Sequence, residues 1–149
     1  MAGMSFIDEV VSALQDDDVL VELMTGGIHS GSLVREISRQ NTPAAFDANQ
    51  EILPCMLAVT YTDVAVAPHR RGLMTTFGTY FYQRAGYDTI EKAMARTYDL
   101  LHEAKIGERT WQILFNMSTE NANDIALDCS LSSQRWFAYR LKQPYAEVS

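Results

Sequence analysis

Leu73-Met74-Thr75-Thr76-Phe77-Gly78-Thr79-Tyr80-Phe81-Tyr82-Gln83-Arg84, followed closely by Gly86-Tyr87-Asp88-Thr89-Ile90, carries two periods in succession. Leu73, Thr75, Phe77, Thr79 and Phe81 fall on one face of a period-two element, and Thr, Tyr and Phe suit a pleated, half-buried surface. This reads as a strand. Gly86 breaks the alternation, and Asp88 with Glu91 three residues later has the form of a capping box, with Asp in place of Ser or Thr. Beyond it the spacing becomes that of a helix. Ile90, Ala93, Met94, Thr97, Tyr98, Leu100 and Leu101 form one apolar stripe, while Glu91, Lys92, Arg96, Asp99 and Glu103 face water. A helix lying across a sheet is the expected centre of the fold.

Upstream, Ser5 to Gln15 has a helical stripe of Phe6, Val10, Ala13 and Leu14, with Ser5 and Glu9 placed to close its first turn. Asp16-Asp17-Asp18 stops that helix and caps a second, short one from Val19 to Met24; the same acidic run could instead dock a basic partner. Gly26-Gly27-Ile28-His29-Ser30-Gly31 lacks the Lys-Ser/Thr of a phosphate loop and no helical pattern follows it. Gly26 is therefore expected as a left-handed helix stop before a strand. Leu33, Arg35, Ile37 and Arg39 alternate as an edge strand would. Asn41 to Pro54 is a connection with one possible turn, Thr42 capping and Pro43 first. Cys55 to Val66 reads as a long central strand, apolar on both faces.

Pro68-His69-Arg70-Arg71-Gly72 then makes a basic, exposed hairpin loop into the strand at 73–84. Past Gly107, Thr110 to Met117 places Trp111, Ile113, Phe115 and Met117 on one side. Ser118 to Asn123 has turn chemistry, and Ile125 to Leu131 and Gln134 to Leu141 read as extended. The last of these puts Phe137, Tyr139 and Leu141 on one face and Trp136, Ala138 and Arg140 on the other; if the first set faces the core, Trp136 and Arg140 face out together. Such a pair anchors interfaces; the alternative is a Trp covered by its own chain.

With 149 residues, 47% hydrophobic and 21% charged, the chain suits a single α+β domain over 1–149, with 143–149 as a polar tail. The expected architecture is an antiparallel sheet of four to five strands, one long helix packed on it, and short N-terminal helices. No apolar run reaches membrane-span length and the first residues lack the pattern of a signal peptide, so an intracellular protein without a membrane partner is expected. Cys55 and Cys129 are expected as buried free thiols.

The net charge of −7 is concentrated in residues 1–34, whose Asp8, Glu9, Asp16, Asp17, Asp18 and Glu22 are accompanied by no Lys or Arg. A protein gripping nucleic acid by its phosphates needs the opposite balance. His29, His69 and His102 stand in no metal-ligand spacing, and no Gly-x-Ser-x-Gly elbow is present. No catalytic residue, cofactor or metal is expected.

Several phrases carry a resemblance: the acidic run leading to Thr25-Gly26-Gly27-Ile28-His29, Asn41-Thr42-Pro43-Ala44-Ala45-Phe46-Asp47, Leu53-Pro54-Cys55 and Gly86-Tyr87-Asp88-Thr89-Ile90. In these, and in the order of its elements over residues 6 to 142, the chain resembles the tail-terminator or tail-completion proteins of long-tailed bacteriophages. The resemblance implies a virion protein, made in the host cytoplasm, that forms a homo-oligomeric ring, typically a hexamer. Such a ring caps the tail tube and joins it to the head connector or stopper, and DNA passes through it without being bound by sequence. Interface candidates are then His69, Arg70 and Arg71, Trp136 with Arg140, and Asp16, Asp17 and Asp18. A head-completion adaptor or stopper ring is the nearest alternative, and a small-ligand-binding α+β domain the alternative of a different class.

Overall fold

The computed structural model describes residues 5–61, 65–66, 72–106 and 111–141. Its helices are α1 (Phe6–Gln15), α2 (Asp18–Leu23) and α3 (Asp88–Leu101). Its strands are β1 (Ile28–Ser30), β2 (Cys55–Thr60), β3 (Ala65–Val66), β4 (Gly72–Gln83), β5 (Lys105–Ile106), β6 (Trp111–Asp124) and β7 (Cys129–Leu141). They form one sheet in the order β1-β2-β4-β7-β6-β5, with β3 also paired to β4. Pairing is antiparallel throughout, except that β1 runs parallel to β2. The α+β class agrees with expectation, but among the described residues the sheet has seven strands rather than four or five. Of the short strands, β1 is the one expected after the glycine stop and β3 lies within the expected strand from Cys55 to Val66, whereas β5, two residues long, is too short to show a period.

One face of the sheet carries Phe77, Phe81, Ile113, Trp136 and Ala138, and the apolar rows of α1, α2 and α3 cover it. The other is covered over β2 by the segment 31–54, whose Ile37, Ala45, Phe46 and Ile52 pack on Cys55, Leu57, Val59 and Tyr82. The hairpin of β2 and β4 forms as expected, with Met56 opposite Phe81 and Ala58 opposite Thr79. The expected strand from Cys55 to Val66 is interrupted at Tyr61: β2 covers it to Thr60, and β3 at Ala65–Val66 pairs with the same neighbour, β4, while 62–64 lie outside the described residues.

Helix starts follow local chemistry, though not always the expected group. Ser5 Oγ accepts from the Asp8 amide at 3.2 Å to begin α1. The buried row there is Ile7, Val10, Val11 and Leu14. Phe6 and Ala13 are partly buried and pack against the same core, the Phe6 ring lying 5.5 and 4.9 Å from those of Phe77 and Trp111. At α2 the acidic cap is present, Asp17 accepting from the Leu20 amide at 2.9 Å. At α3 neither Asp88 nor Glu91 closes the capping box. Gln83, the last residue of β4, does the work of the cap: its Oε1 accepts from the Thr89 and Ile90 amides at 3.0 and 3.1 Å. Its Nε2 donates to Ala85 O and Asp88 Oδ1. A strand end thus fixes where the following helix starts, with two otherwise orphaned amides satisfied.

Five other expectations fail for local reasons. The left-handed residue is Gly27, φ +99°, and Gly26 is instead a point of close approach to Leu53 and Cys55. No strand forms over Leu33 to Arg39, because the Leu33 and Val34 amides fold back onto Ser30 O. Thr42 precedes the turn at Pro43–Ala45 but makes no cap; its hydroxyl serves Asn41 and Ser38. Ser118 to Asn123 is strand rather than turn, and the chain reverses at 125–128, where Ile125 to Leu131 was expected to be extended. Bulges between Phe115 and Met117 and between Thr119 and Ala122 absorb the irregular residues.

The N-terminal helices are tied down by carboxylates. Asp8 accepts from the Ser30 and Ser32 hydroxyls, linking α1 to the end of β1. Asp17 accepts from Arg96 Nε and Nη2 at 2.9 and 2.5 Å, linking α2 to α3. These bonds hold both carboxyls below the usual carboxylate range, the serine hydroxyls for Asp8 and the guanidinium for Asp17. A carboxyl depressed in the folded state adds stability above its unfolded pKa and loses it as pH falls through the folded value. The expected result is a protein whose unfolding midpoint is flat at neutral pH and drops below about pH 4. Asp17→Asn keeps a capping side-chain oxygen but loses the ion pair with Arg96, and should cost under about 1 kcal/mol near pH 7. It should also shrink the acid loss, as read from urea midpoints between pH 7 and pH 3.

Candidate assembly surface

The position of β7 against β4 decides which side chains are available at the surface. Phe77 stands opposite Trp136, and directly opposed residues of an antiparallel pair point to the same face. Phe77 belongs to the helix-covered core, so Trp136 does too. The indole is fully buried, stacked on Phe77 at 6.1 Å, with Nε1 donating to Thr79 Oγ1 at 3.0 Å. The outward pair of Trp136 and Arg140 is therefore not formed, and the alternative, a Trp covered by its own chain, holds. Trp136 is core, and Arg140 lies half-buried over the Trp111 ring, 4.9 Å from its centroid.

Phe137 and Tyr139 share the opposite face. Opposite Phe137 and Tyr139 stand Thr76 and Met74 on β4 and Leu114 and Gln112 on β6. Among the described residues the cover formed by 31–54 does not include this strip: Met74, Leu114, Phe137 and Tyr139 are half-buried and, with Met117, belong to neither core cluster. The Phe137 and Tyr139 rings are 6.2 Å apart, and Met117 is 47% exposed. The border toward the covered half is Tyr61, which lies over Gly78 where no side chain intervenes. Its hydroxyl is 2.6 Å from that of Tyr80, and the Arg135 guanidinium sits 4.9 Å from its ring centroid. The result is an apolar, aromatic strip with an exposed cation at its rim.

The acidic N-terminal candidates divide. Asp17 is consumed by its cap and by Arg96, whereas Asp16 and Asp18 are exposed. Beside Asp18 on α2, Val19 and Val21 are exposed, at 51% and 44%, and Glu22 is exposed with them. His69, Arg70 and Arg71 lie outside the described residues.

The two margins of the sheet differ. On β1, Ile28 O accepts from Gln15 Nε2 at 2.9 Å, and Ser30 O accepts from the Leu33 and Val34 amides. On β6, strand β5 pairs only with Trp111 and Gln112. Glu103, Ala104 and His102 Nδ1 extend that cover to Ile113 and Phe115, and among the described residues no strand lies outside β6 beyond them.

The groups that could carry chemistry have structural partners. His29 Nε2 is 2.8 Å from Gly26 O, and His102 Nδ1 accepts from the Phe115 amide at 3.0 Å. Cys55 and Cys129 are free and buried, and burial pushes their thiols up to about 12 and about 11, which keeps them un-ionised. Among the described residues no group of three or more His, Cys, Asp or Glu is placed to hold a metal ion, and no helix is long and apolar enough to cross a membrane.

No protein-family model and no curated protein matches this chain. A solved structure does. A chain of the virion of native gene transfer agent (GTA) particle matches it with a TM-score of 0.64 at 15% identity, covering 93% of this chain and 96% of that one. At this identity the likeness is one of fold, and it extends over nearly the whole of both molecules.

Proposed function

We propose that this chain is a structural virion protein of the tail-terminator type: a subunit of a homo-oligomeric ring that caps a tail tube and joins it to the head connector. The observation that carries the reading is the fold shared with a chain of a gene transfer agent virion over 93% of this chain. It agrees with the resemblance of the sequence phrases, which arises from residues and not from the fold. The aromatic strip, which lies outside both core clusters of the described residues, adds a physical reason, since a protomer with such a strip at its surface is suited to protein contact. A ring uses two different patches per subunit, and the acidic N-terminal segment and the basic loop at His69, Arg70 and Arg71 are candidates for contacts with neighbouring rings. No residue is assigned a catalytic role and no cofactor is implied.

The experiment is native mass determination with negative-stain imaging, alongside complementation of a particle lacking the protein. The expected result is a closed ring, with unjoined tails and DNA-filled heads accumulating in its absence. Arg70→Glu combined with Arg71→Glu should leave the protomer folded while particles fail to join; normal infectious particles would remove that loop from the contact. A protein that stays with DNA-filled heads lacking tails would instead be an adaptor or stopper.

A further inference from the structure

Resting on the ring reading, we infer that the contact between neighbouring subunits is made by the half-buried aromatic sheet strip of one copy against helix α2 of the next. The strip offers Phe137, Tyr139, Leu114 and Met117, with Arg135 exposed at its rim. Helix α2 offers Val19 and Val21, both exposed, flanked by Asp18 and Glu22. Each surface supplies what the other lacks. One is apolar with a cation and the other is apolar with two carboxylates, one helical turn apart on the same side of a helix.

Their placement supports the same contact. Helix α2 packs with α1 and α3 on the helix-covered side of the sheet, and the strip lies on the opposite side. A protomer with complementary patches on opposite sides cannot satisfy both within a two-fold dimer, whose contact uses the same patch twice. It makes head-to-tail contacts, and these close into a ring when the rotation per subunit permits. A second copy is therefore a better occupant of the strip than an unrelated apolar partner, because the matching charge and apolar surface are already present on this chain. Both surfaces lie outside the core clusters of the described residues, to which Val19, Val21, Phe137 and Tyr139 do not belong.

The test is a reciprocal charge exchange read by sedimentation and native mass. Arg135→Glu alone and Asp18→Arg with Glu22→Arg are each expected to raise the concentration needed for half-assembly by at least about 30-fold. The triple variant, carrying opposite charges on both surfaces, is expected to recover most of that loss. Phe137→Ser serves as a variant without charge change and should weaken assembly by a similar factor. Circular dichroism of each variant separates loss of assembly from loss of fold. A wild-type ring that survives the single-surface variants unchanged overturns this contact and leaves the ring reading intact. Survival of the ring with loss of tail joining would likewise overturn it and assign the strip to a different virion protein. Wild-type protein that never forms a ring would overturn the ring reading itself.

Discussion

Trp136→Ala is expected to lower stability by about 3–5 kcal/mol, the largest single-residue effect in the chain. The indole is fully buried between three aromatic rings, with Phe77 stacked at 6.1 Å, Phe115 edge-on at 5.3 Å and Tyr98 at 6.4 Å. Its N–H starts a buried chain of polar groups. Trp136 donates to Thr79 Oγ1, Thr79 donates to Gln134 Oε1 at 3.2 Å, and Gln134 Nε2 donates to Met94 O at 3.0 Å. That chain ties β7 and β4 to α3. Truncation leaves a cavity and removes the donor that Thr79 faces, in a place water does not reach. For a chain of this length the midpoint temperature should fall by about 10 °C. Trp136→Phe keeps most of the volume and should cost only about 1–2 kcal/mol, mainly the lost hydrogen bond. Urea unfolding at concentrations below assembly checks both variants, since assembly itself would add apparent stability. A loss under about 1 kcal/mol for the alanine variant would mean that the indole sits at the surface, contrary to the register of β7.

Gly31→Ala is expected to cost about 3 kcal/mol, and more than Gly78→Ala, although a distance comparison alone suggests the reverse. A Cβ at Gly78 would meet the Tyr61 hydroxyl at 2.1 Å, whereas one at Gly31 would meet Ala58 O at 2.8 Å and Val59 Cα at 2.9 Å. The difference lies in what can move. Tyr61 is 37% exposed and can rotate outward, losing its Tyr80 hydrogen bond and the Arg135 contact, for about 1 kcal/mol. At Gly31 the obstacle is backbone, and the Gly31 amide is already bonded to Ala58 O at 2.7 Å. The added methyl must push β1 away from β2. Ile28 would then leave the core, and Ser30 would release Asp8. Matched urea midpoints for the two variants decide the matter; a larger loss at Gly78 would show that the end of β1 yields easily.

The sequence made the helix-over-sheet centre legible because two long elements each repeat their period often enough to be read. Thr75, Phe77, Thr79 and Phe81 are all buried, as are Ile90, Ala93, Met94 and Thr97. The acidic cap at Asp17 was legible for the same reason that it works: a short acceptor side chain is positioned by its own backbone. The cap of α3 was not, since Gln83 reaches forward from a strand end and no local pattern marks it. The face of β7 was misread because both rows are similarly apolar. Trp136 with Ala138 competes with Phe137 and Tyr139, and only the pairing with Phe77 breaks the tie. That error exchanged the buried and exposed aromatics, so the sequence pointed to Trp136 where the available surface holds Phe137, Tyr139 and Leu114. The polar length of β6 was missed because a strand without a buried face offers no alternation to detect.

The covered margin at β1 also limits how copies can accumulate. With Ile28 O and Ser30 O already engaged, another chain's strand gains little by lining up there, and growth of one uninterrupted ribbon from molecule to molecule is blocked at that end. Protomers meeting through side chains can stop at a fixed copy number, while main-chain ladders tend to run on into fibres. A particle part that must be made in a defined size, at high local concentration during assembly, benefits from having one such exit closed.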